Sequence, residues 1–271
     1  MTFPVYLAPQ DLATACGTAQ VAQAAELPVG AVVELTGSAA HHAGTVRRTR
    51  PGETIEIVDG AGSRVTVQVT AADKRELRAT VIAAQLDPPS YPKITLVQAL
   101  AKSGRDEQAV ETATEYGVAE VIPWHSARTI VNWRGKEAKA RARWENTAVA
   151  AVQQSRRSYG VTIGELLDSV QLTNWIKTKV ATGAKVLVCH EDATTDLLTA
   201  LTDSGNAAGT AMEVIVVVGP EGGITAAEIA DFIEAGAEPV LLGAHILRAA
   251  TAGPWAIAVI SAYAKRQGAR P

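Results

Sequence analysis

Residues 216–228 read "VVVGPEGGITAAE", and this stretch decides the fold. An apolar run, "EVIVVV" (213–218), leads into Gly219, Pro220, Gly222 and Gly223 around one carboxylate, Glu221. The segment that follows, "TAAEIADFIEAGA", has helical periodicity, and Thr225 with Glu228 forms a T-x-x-E capping box that satisfies the helix start from within. A buried strand, a glycine turn and a helix in this order make one unit of a parallel sheet, and ligands bind at the carboxyl ends of such strands. Gly222 and Gly223 allow close backbone approach and positive φ. The motif is neither the P-loop nor the G-x-G-x-x-G dinucleotide fingerprint.

A second strand end repeats the arrangement. "PVLLGAHILRAATAG" (239–253) is an apolar strand, Gly243, an irregular apolar loop and a helix. Ile246 and Leu247 call for burial and Arg248 for a partner. Backbone groups in a buried loop must be satisfied, and the edge of a flat adenine ring bound in an apolar slot would do so.

Working outward, "ITLVQAL" (94–100), "AEVIPW" (119–124), "GAKVLVCHE" (183–191) and "EPVLLG" (238–243) are further strands. They alternate with helices at 105–118, 136–157, 194–205 and through "TAGPWAIAVISAYAKR". The pattern predicts an α/β domain with a parallel sheet covered on both faces. Upstream, "AVVELTG" (31–37), "TIEIVDG" (54–60), "RVTVQVTA" (64–71) and "LRATVIAA" (77–84) are short β-branched strands. "VDGAGSRVTV" reads as a hairpin, and the set suggests a small barrel. The proline-rich "LDPPSYPK" (86–93) marks the linker.

The chain has 271 residues, 47% hydrophobic, with a formal net charge of −3. Bulk charge therefore gives no nucleic-acid signal, and basic character is local: "TVRRTR" (45–50), "RGKEAKARAR" (134–143) and "SRRSY" (155–159). Two cysteines, Cys16 and Cys189, give no disulfide framework and fit a reducing cytoplasm. No signal peptide or membrane span is expected. "CHED" (189–192) tempts as a metal cluster, but adjacent strand residues face opposite ways, and no metal is expected. Trp124, Trp133 and Trp144 are expected as core anchors.

The residues "VVVGPEGGIT..E" followed by "LLGAHILRAATA" resemble the C-terminal signature of the RsmE family. Its members are SPOUT-class, S-adenosylmethionine-dependent methyltransferases of 16S rRNA. "HHAGTVRRTRPGETIEIVDGAG" (41–62), "ETATEYGVAEVIPWHSARTIV" (111–131) and "RWENTAVAAVQQSRRSY" (143–159) match further family segments in order. The chain departs from the family pattern at Ile224, His245 and Ala250.

The resemblance implies a PUA-like β-barrel RNA-binding domain over 1–86 and a SPOUT α/β domain with a C-terminal trefoil knot over 87–271. It implies S-adenosylmethionine held by Val217, Gly219, Pro220, Glu221, Gly222, Gly223, Leu242, Gly243, Ile246, Leu247, Arg248 and Ala252. It implies RNA contacts from His42, Arg47, Arg48, Arg128, Arg156 and Arg157. The implied reaction is methylation of N3 of one uridine in the decoding region of 16S rRNA, by a cytoplasmic homodimer acting on naked RNA or an assembled small subunit. For catalysis, Arg157 is expected to stabilise the uridine anion. Glu221 is expected to orient the base or cofactor or to accept a proton, and Arg248 to reach Glu221 or the RNA. The alternatives are a SPOUT enzyme acting at another RNA position and a non-catalytic RNA-binding protein of the same fold.

Overall fold

The computed structural model describes residues 3–8, 12–14, 24–202 and 213–267. Cys16, residues 203–205 of the expected helix 194–205, and Met212 lie outside the described residues. The chain divides into two compact units. One holds the chain up to Pro89 together with Val149–Gly160, and the other holds Ser90–Ala148 and Val161 onward. Residues 149–160, expected in the second segment of the sequence, thus pack with the first.

The first unit is a six-stranded sheet. Its strands are β1 (Val5–Leu7), β2 (Leu12–Thr14), β3 (Val32–Leu35), β4 (Thr54–Val58), β5 (Ser63–Ala72) and β6 (Leu77–Leu86), in the spatial order β1-β4-β5-β6-β3-β2. All pairs are antiparallel except β1–β4. Alternating residues on these strands bury one face, with Val33, Leu35, Ile55, Ile57, Val65, Val67, Leu77 and Ala79 fully enclosed. The short helix α1 (Gly37–His41) adds Ala39 and Ala40 to that core. The expected β4–β5 hairpin forms. Asp59 Oδ1 accepts from the N–H groups of Ala61 at 2.7 Å and Ser63 at 3.0 Å, an Asx-type turn that fixes the register.

The second unit is built on an all-parallel sheet of β7 (Lys93–Ala99), β8 (Glu120–His125), β9 (Thr162–Ile163), β10 (Leu167–Asp168), β11 (Lys185–Cys189), β12 (Glu213–Val218) and β13 (Glu238–Val240). The order is β10-β8-β7-β12-β11-β13, with β9 also on β8. Helices α2 (Arg105–Glu115), α3 (Glu137–Ser155), α4 (Ser169–Ala181), α5 (Leu197–Thr202), α6 (Ala226–Glu234) and α7 (Ala249–Arg266) connect or cover the strands. Two cores result, one on each sheet face. Val214, Val216 and Val218 of β12 belong to one, and Ile215 and Val217 to the other. A strand buried on both faces reads as a continuous apolar run, which is why "EVIVVV" shows no alternation.

Trp124, Trp133 and Trp144 are core residues, as expected. Trp133 meets Trp144 edge to face at 5.1 Å, and Trp124 meets Phe232 of α6 at 5.5 Å. Helix α7 lies hard against β7 and β12 because residue 253 is glycine. A Cβ there would stand 2.7 Å from Leu96 Cδ1 and 3.5 Å from Val218 Cγ2. β9, β10 and α4 were not anticipated from sequence. α4 nevertheless carries a legible start, since Asp168 and Gln171 form a reciprocal capping box. No helix among the described residues is long and apolar enough to cross a membrane.

Candidate active site

The carboxyl ends of β11, β12 and β13 open onto a cleft of about 820 Å³. That is within the range of small-molecule sites. Its walls are the loop at 219–224, the loop at 241–248 with the start of α7, residues 189–192 after β11, and the side chains of Arg105 and Arg128. Placement follows from the sheet: three neighbouring parallel strands end together, and their loops must gather on the same edge.

Glycine shapes the 219–224 loop in three different ways. Gly223 has φ +74°, a left-handed conformation that side chains resist. Gly219 packs so closely that a Cβ would meet Ile224 Cγ1 at 2.6 Å. Ile224 is itself buried and serves as the apolar stop against the turn. Gly222 has no strained φ; a Cβ there would lie 3.2 Å from Arg128 Cβ. Arg128 Nη1 donates to the Gly222 carbonyl at 3.0 Å. The side chain expected at RNA therefore braces the glycine turn.

The helix after the turn is anchored from below. Thr225 Oγ1 accepts from the Glu228 N–H at 3.2 Å, and Glu228 Oε2 accepts from the Thr225 N–H at 2.9 Å. Glu228 is buried, and its other oxygen accepts from Ala127 N–H at 2.8 Å and Ser169 Oγ at 2.6 Å. One carboxylate thus ties the starts of α6 and α4 to the loop that carries Arg128. Burial pushes the Glu228 carboxyl up. The hydrogen bonds from Ala127, Ser169 and Thr225 outweigh it and hold the group below its ordinary range.

Glu221 is exposed at the cleft. Its Oε1 accepts from Arg105 Nη1 at 3.0 Å and from the Lys102 N–H at 3.2 Å. Burial raises its pKa, but its own backbone N–H, Arg105 and Lys102 together lower it further. A carboxylate so held is a poor proton acceptor. The partner of Glu221 is Arg105, whereas Arg248 was the expected candidate. Arg248 is the N-terminal cap residue of α7, with an exposed side chain on the cleft wall and its carbonyl accepting from Thr251 Oγ1 at 3.1 Å.

Of the other residues expected at the cofactor, Gly219, Pro220, Gly222, Gly223, Leu242, Gly243, Ile246, Leu247 and Ala252 all line the cleft. Val217 does not. It is buried in the opposite core, and Val218 lines the cleft instead, because successive strand residues face opposite ways. The expected burial of the apolar loop is met only in part: Leu247 is half-buried against the core, but Ile246 is 80% exposed. Sequence reading missed Arg105, whose partner lies 116 residues away. It also missed His190, Glu191 and Asp192 as cleft residues. Their place directly after a parallel strand could have revealed them. Cys189 lines the floor, where burial pushes its thiol up to about 12, so it stays protonated and unreactive. Among the described residues no three His, Cys, Asp or Glu side chains gather as a metal site requires.

The remaining expected residues belong to the first unit. His42 opens a π-helical turn, His42–Val46, that continues α1, and Arg47 and Arg48 follow it, both exposed and Arg48 at φ +55°. His42 stacks edge to face on Tyr6 at 5.8 Å, and its Nδ1 pairs with Gln153 Oε1 at 3.0 Å. The sheet thereby holds the last turns of α3, and with them Arg156 and Arg157, beside this basic stretch. Arg157 is half-buried, and burial lowers its guanidinium to about 10, still well above neutrality. Its charge is retained in a setting drier than bulk water.

A glycine-floored cleft at the edge of a parallel sheet, accompanied by a small sheet unit with clustered arginines, defines a cofactor-dependent enzyme with an RNA-binding accessory. Family models agree: one described as an RNA methyltransferase domain matches residues 88–261, and one described as an RNA methyltransferase PUA domain matches residues 35–82. The Mycobacterium bovis ribosomal RNA small subunit methyltransferase E is 39% identical over 238 residues, 88% of both chains. The Bacillus subtilis protein of the same description is 27% identical over 230 residues, covering 84% of this chain and 88% of that one. The crystal structure of the Neisseria gonorrhoeae ribosomal RNA small subunit methyltransferase E bound to S-adenosyl methionine superposes with TM-score 0.79 at 27% identity, over 97% and 98% of the two chains. The chain belongs to the RsmE family of RNA methyltransferases.

Proposed function

We propose that this protein methylates N3 of a uridine in 16S rRNA using S-adenosylmethionine, acting in the cytoplasm as a homodimer whose C-terminal loops are threaded as the family's trefoil knot. The observation that carries the reading is the cleft. Three glycines hold one turn in a shape that exposes backbone at the mouth of a cavity of about 820 Å³. Close approach of a flat, polar-edged ligand is what such a turn permits. Gly219, Pro220, Gly222, Gly223, Leu242, Gly243, Leu247 and Ala252 would hold it, and Ile246, so exposed in the single chain, would be covered by cofactor or by the second copy. When bound, the cofactor supplies an electrophilic methyl group.

The chain must do the rest. The acceptor nitrogen carries a proton at neutral pH, and its loss puts negative charge on the carbonyl oxygens of the base. Arg157 would face that charge with a fixed fork of donors. Its value near 10 keeps it cationic at working pH. Glu221, held ionised by Arg105 and Lys102, fixes the turn to the start of α2 and leaves the proton to solvent. Arg47, Arg48 and Arg156 supply phosphate contacts, which position RNA without reading its sequence.

The test pairs calorimetric titration of S-adenosylmethionine with methyl transfer to small subunits, mapped to the nucleotide. Binding by the wild type, loss of binding in Gly222→Val, and a single N3-methyluridine support the reading. Methylation at another position or at no position overturns it.

A further inference from the structure

The segment that carries Arg157 is strained. α3 ends at Ser155, and Arg156 takes φ +59° where helices usually place glycine. The Arg157 N–H reaches back to the Val152 carbonyl at 3.0 Å, closing the turn. A left-handed conformation at a non-glycine residue persists only where surrounding contacts enforce it. Here the enforcing contact is visible. Arg64 of β5 donates from Nη2 to the Arg156 carbonyl at 2.9 Å. Its other donors are committed too, Nη1 to Glu56 Oε2 at 2.6 Å and Nε to Asp87 Oδ2 at 2.8 Å. The guanidinium is thus clamped by two carboxylates and presents its last edge to one strained peptide. Just beyond, the Ser158 carbonyl accepts from the Gly62 N–H at 3.2 Å, and Tyr159 OH donates to the Asp87 carbonyl at 2.9 Å. Arg157 is the residue suspended between these two anchored points.

We infer that Arg64 is a positioning residue for methyl transfer: by holding the Arg156 carbonyl it sets the left-handed turn that aims Arg157 at the base. The inference rests on the proposed role of Arg157. Arg64 touches neither base nor cofactor, and its effect passes through one peptide unit. Lysine cannot replace it, since its three donors share one nitrogen, which cannot lie within hydrogen-bond distance of three acceptors spread around the three nitrogens of a planar guanidinium. Glycine at 156 can, because it takes positive φ unaided.

The experiment is steady-state kinetics on small subunits with Arg64→Lys, Arg156→Gly, the double variant and Arg157→Ala. Arg157→Ala tests the underlying reading on its own: unchanged kcat removes the role of Arg157 and leaves Arg64 nothing to position. If Arg157→Ala loses turnover, Arg64→Lys is expected to lower kcat about tenfold while KM for the subunit moves less than about twofold, because misaiming costs turnover rather than binding. In the Arg156→Gly background the same Arg64→Lys change is expected to lower kcat by less than about threefold. A loss confined to KM, or an equal loss of kcat in both backgrounds, overturns the inference. Arg64→Met, with folding followed by circular dichroism, is the second variant. A folded Arg64→Met with wild-type kcat also overturns it.

Discussion

Of the turns in this protein that take the left-handed region, two are held there by opposite means. The cleft turn at 219–223 uses glycine, with Gly223 at φ +74° and no side chain to object. The turn after α3 uses arginine, with Arg156 at φ +59° held from outside by Arg64. The first conformation is written into the residues that adopt it. The second is imposed by a partner 92 residues away. Glycine suits a surface where a ligand must touch bare backbone. Arginine suits one where the next side chain must be carried at a fixed angle.

That contrast can be broken at either turn. The largest effect is expected from Arg157→Ala, a loss of about a hundredfold to a thousandfold in kcat with S-adenosylmethionine affinity unchanged, as for removal of a charge-stabilising donor. Single-turnover kinetics beside calorimetry checks it, and a parallel loss of cofactor affinity would place Arg157 in the cleft function instead. Next, Gly223→Val forces a β-branched residue to positive φ, a strain of roughly 2–3 kcal/mol that weakens cofactor binding by about a hundredfold. Gly222→Val acts differently, by pushing on Arg128 Cβ 3.2 Å away, and Arg128→Gly, which removes that atom, should relieve part of its loss in a double-mutant titration.

A third change tests the support beneath the cleft turn. Glu228→Ala leaves the Ala127 and Thr225 N–H groups and the Ser169 hydroxyl without their acceptor and should cost roughly 2–4 kcal/mol in chemical denaturation. Its folded pKa lies below the ordinary value of 4.5. Its contribution is therefore complete above that ordinary value and is lost as pH falls through the lower folded value. Glu228→Gln should flatten the acid limb of stability against pH, and an unchanged acid limb would deny the carboxylate this role. The smallest effect is expected from Arg105→Ala. Its ion pair with Glu221 is partly exposed, and cofactor affinity should change by about twofold or less, with salt reducing even that.

The same contrast explains what was legible in the sequence. "GPEGG" after "EVIVVV" announced both a strand end and a ligand turn, because glycine at that place has a local cause. The capping box of Thr225 and Glu228 was legible for the same reason. The further bonds of Glu228 to Ala127 and Ser169 were not, since they join segments 101 and 59 residues distant. Arg105 and Arg64 escaped notice on the same ground. That the side chain of Val218 and not of Val217 faces the cleft is a matter of strand parity, which a run buried on both faces conceals. The packing of 149–160 with the N-terminal sheet has no periodic signature at all, because it depends on Gln153 finding His42 across 111 residues.

The central strand pair has a consequence for synthesis. β7 begins at Lys93, yet its neighbour β12 begins at Glu213, and α7, which covers both, starts at Ala249. Contacts so distant in sequence form late and slowly. On the ribosome, the N-terminal sheet can assemble while the strands of the second unit wait for a partner not yet made. The cleft therefore cannot exist on a nascent chain until α7 has emerged, and cofactor capture becomes a report that the strand-end loops and the helix behind them have all been made.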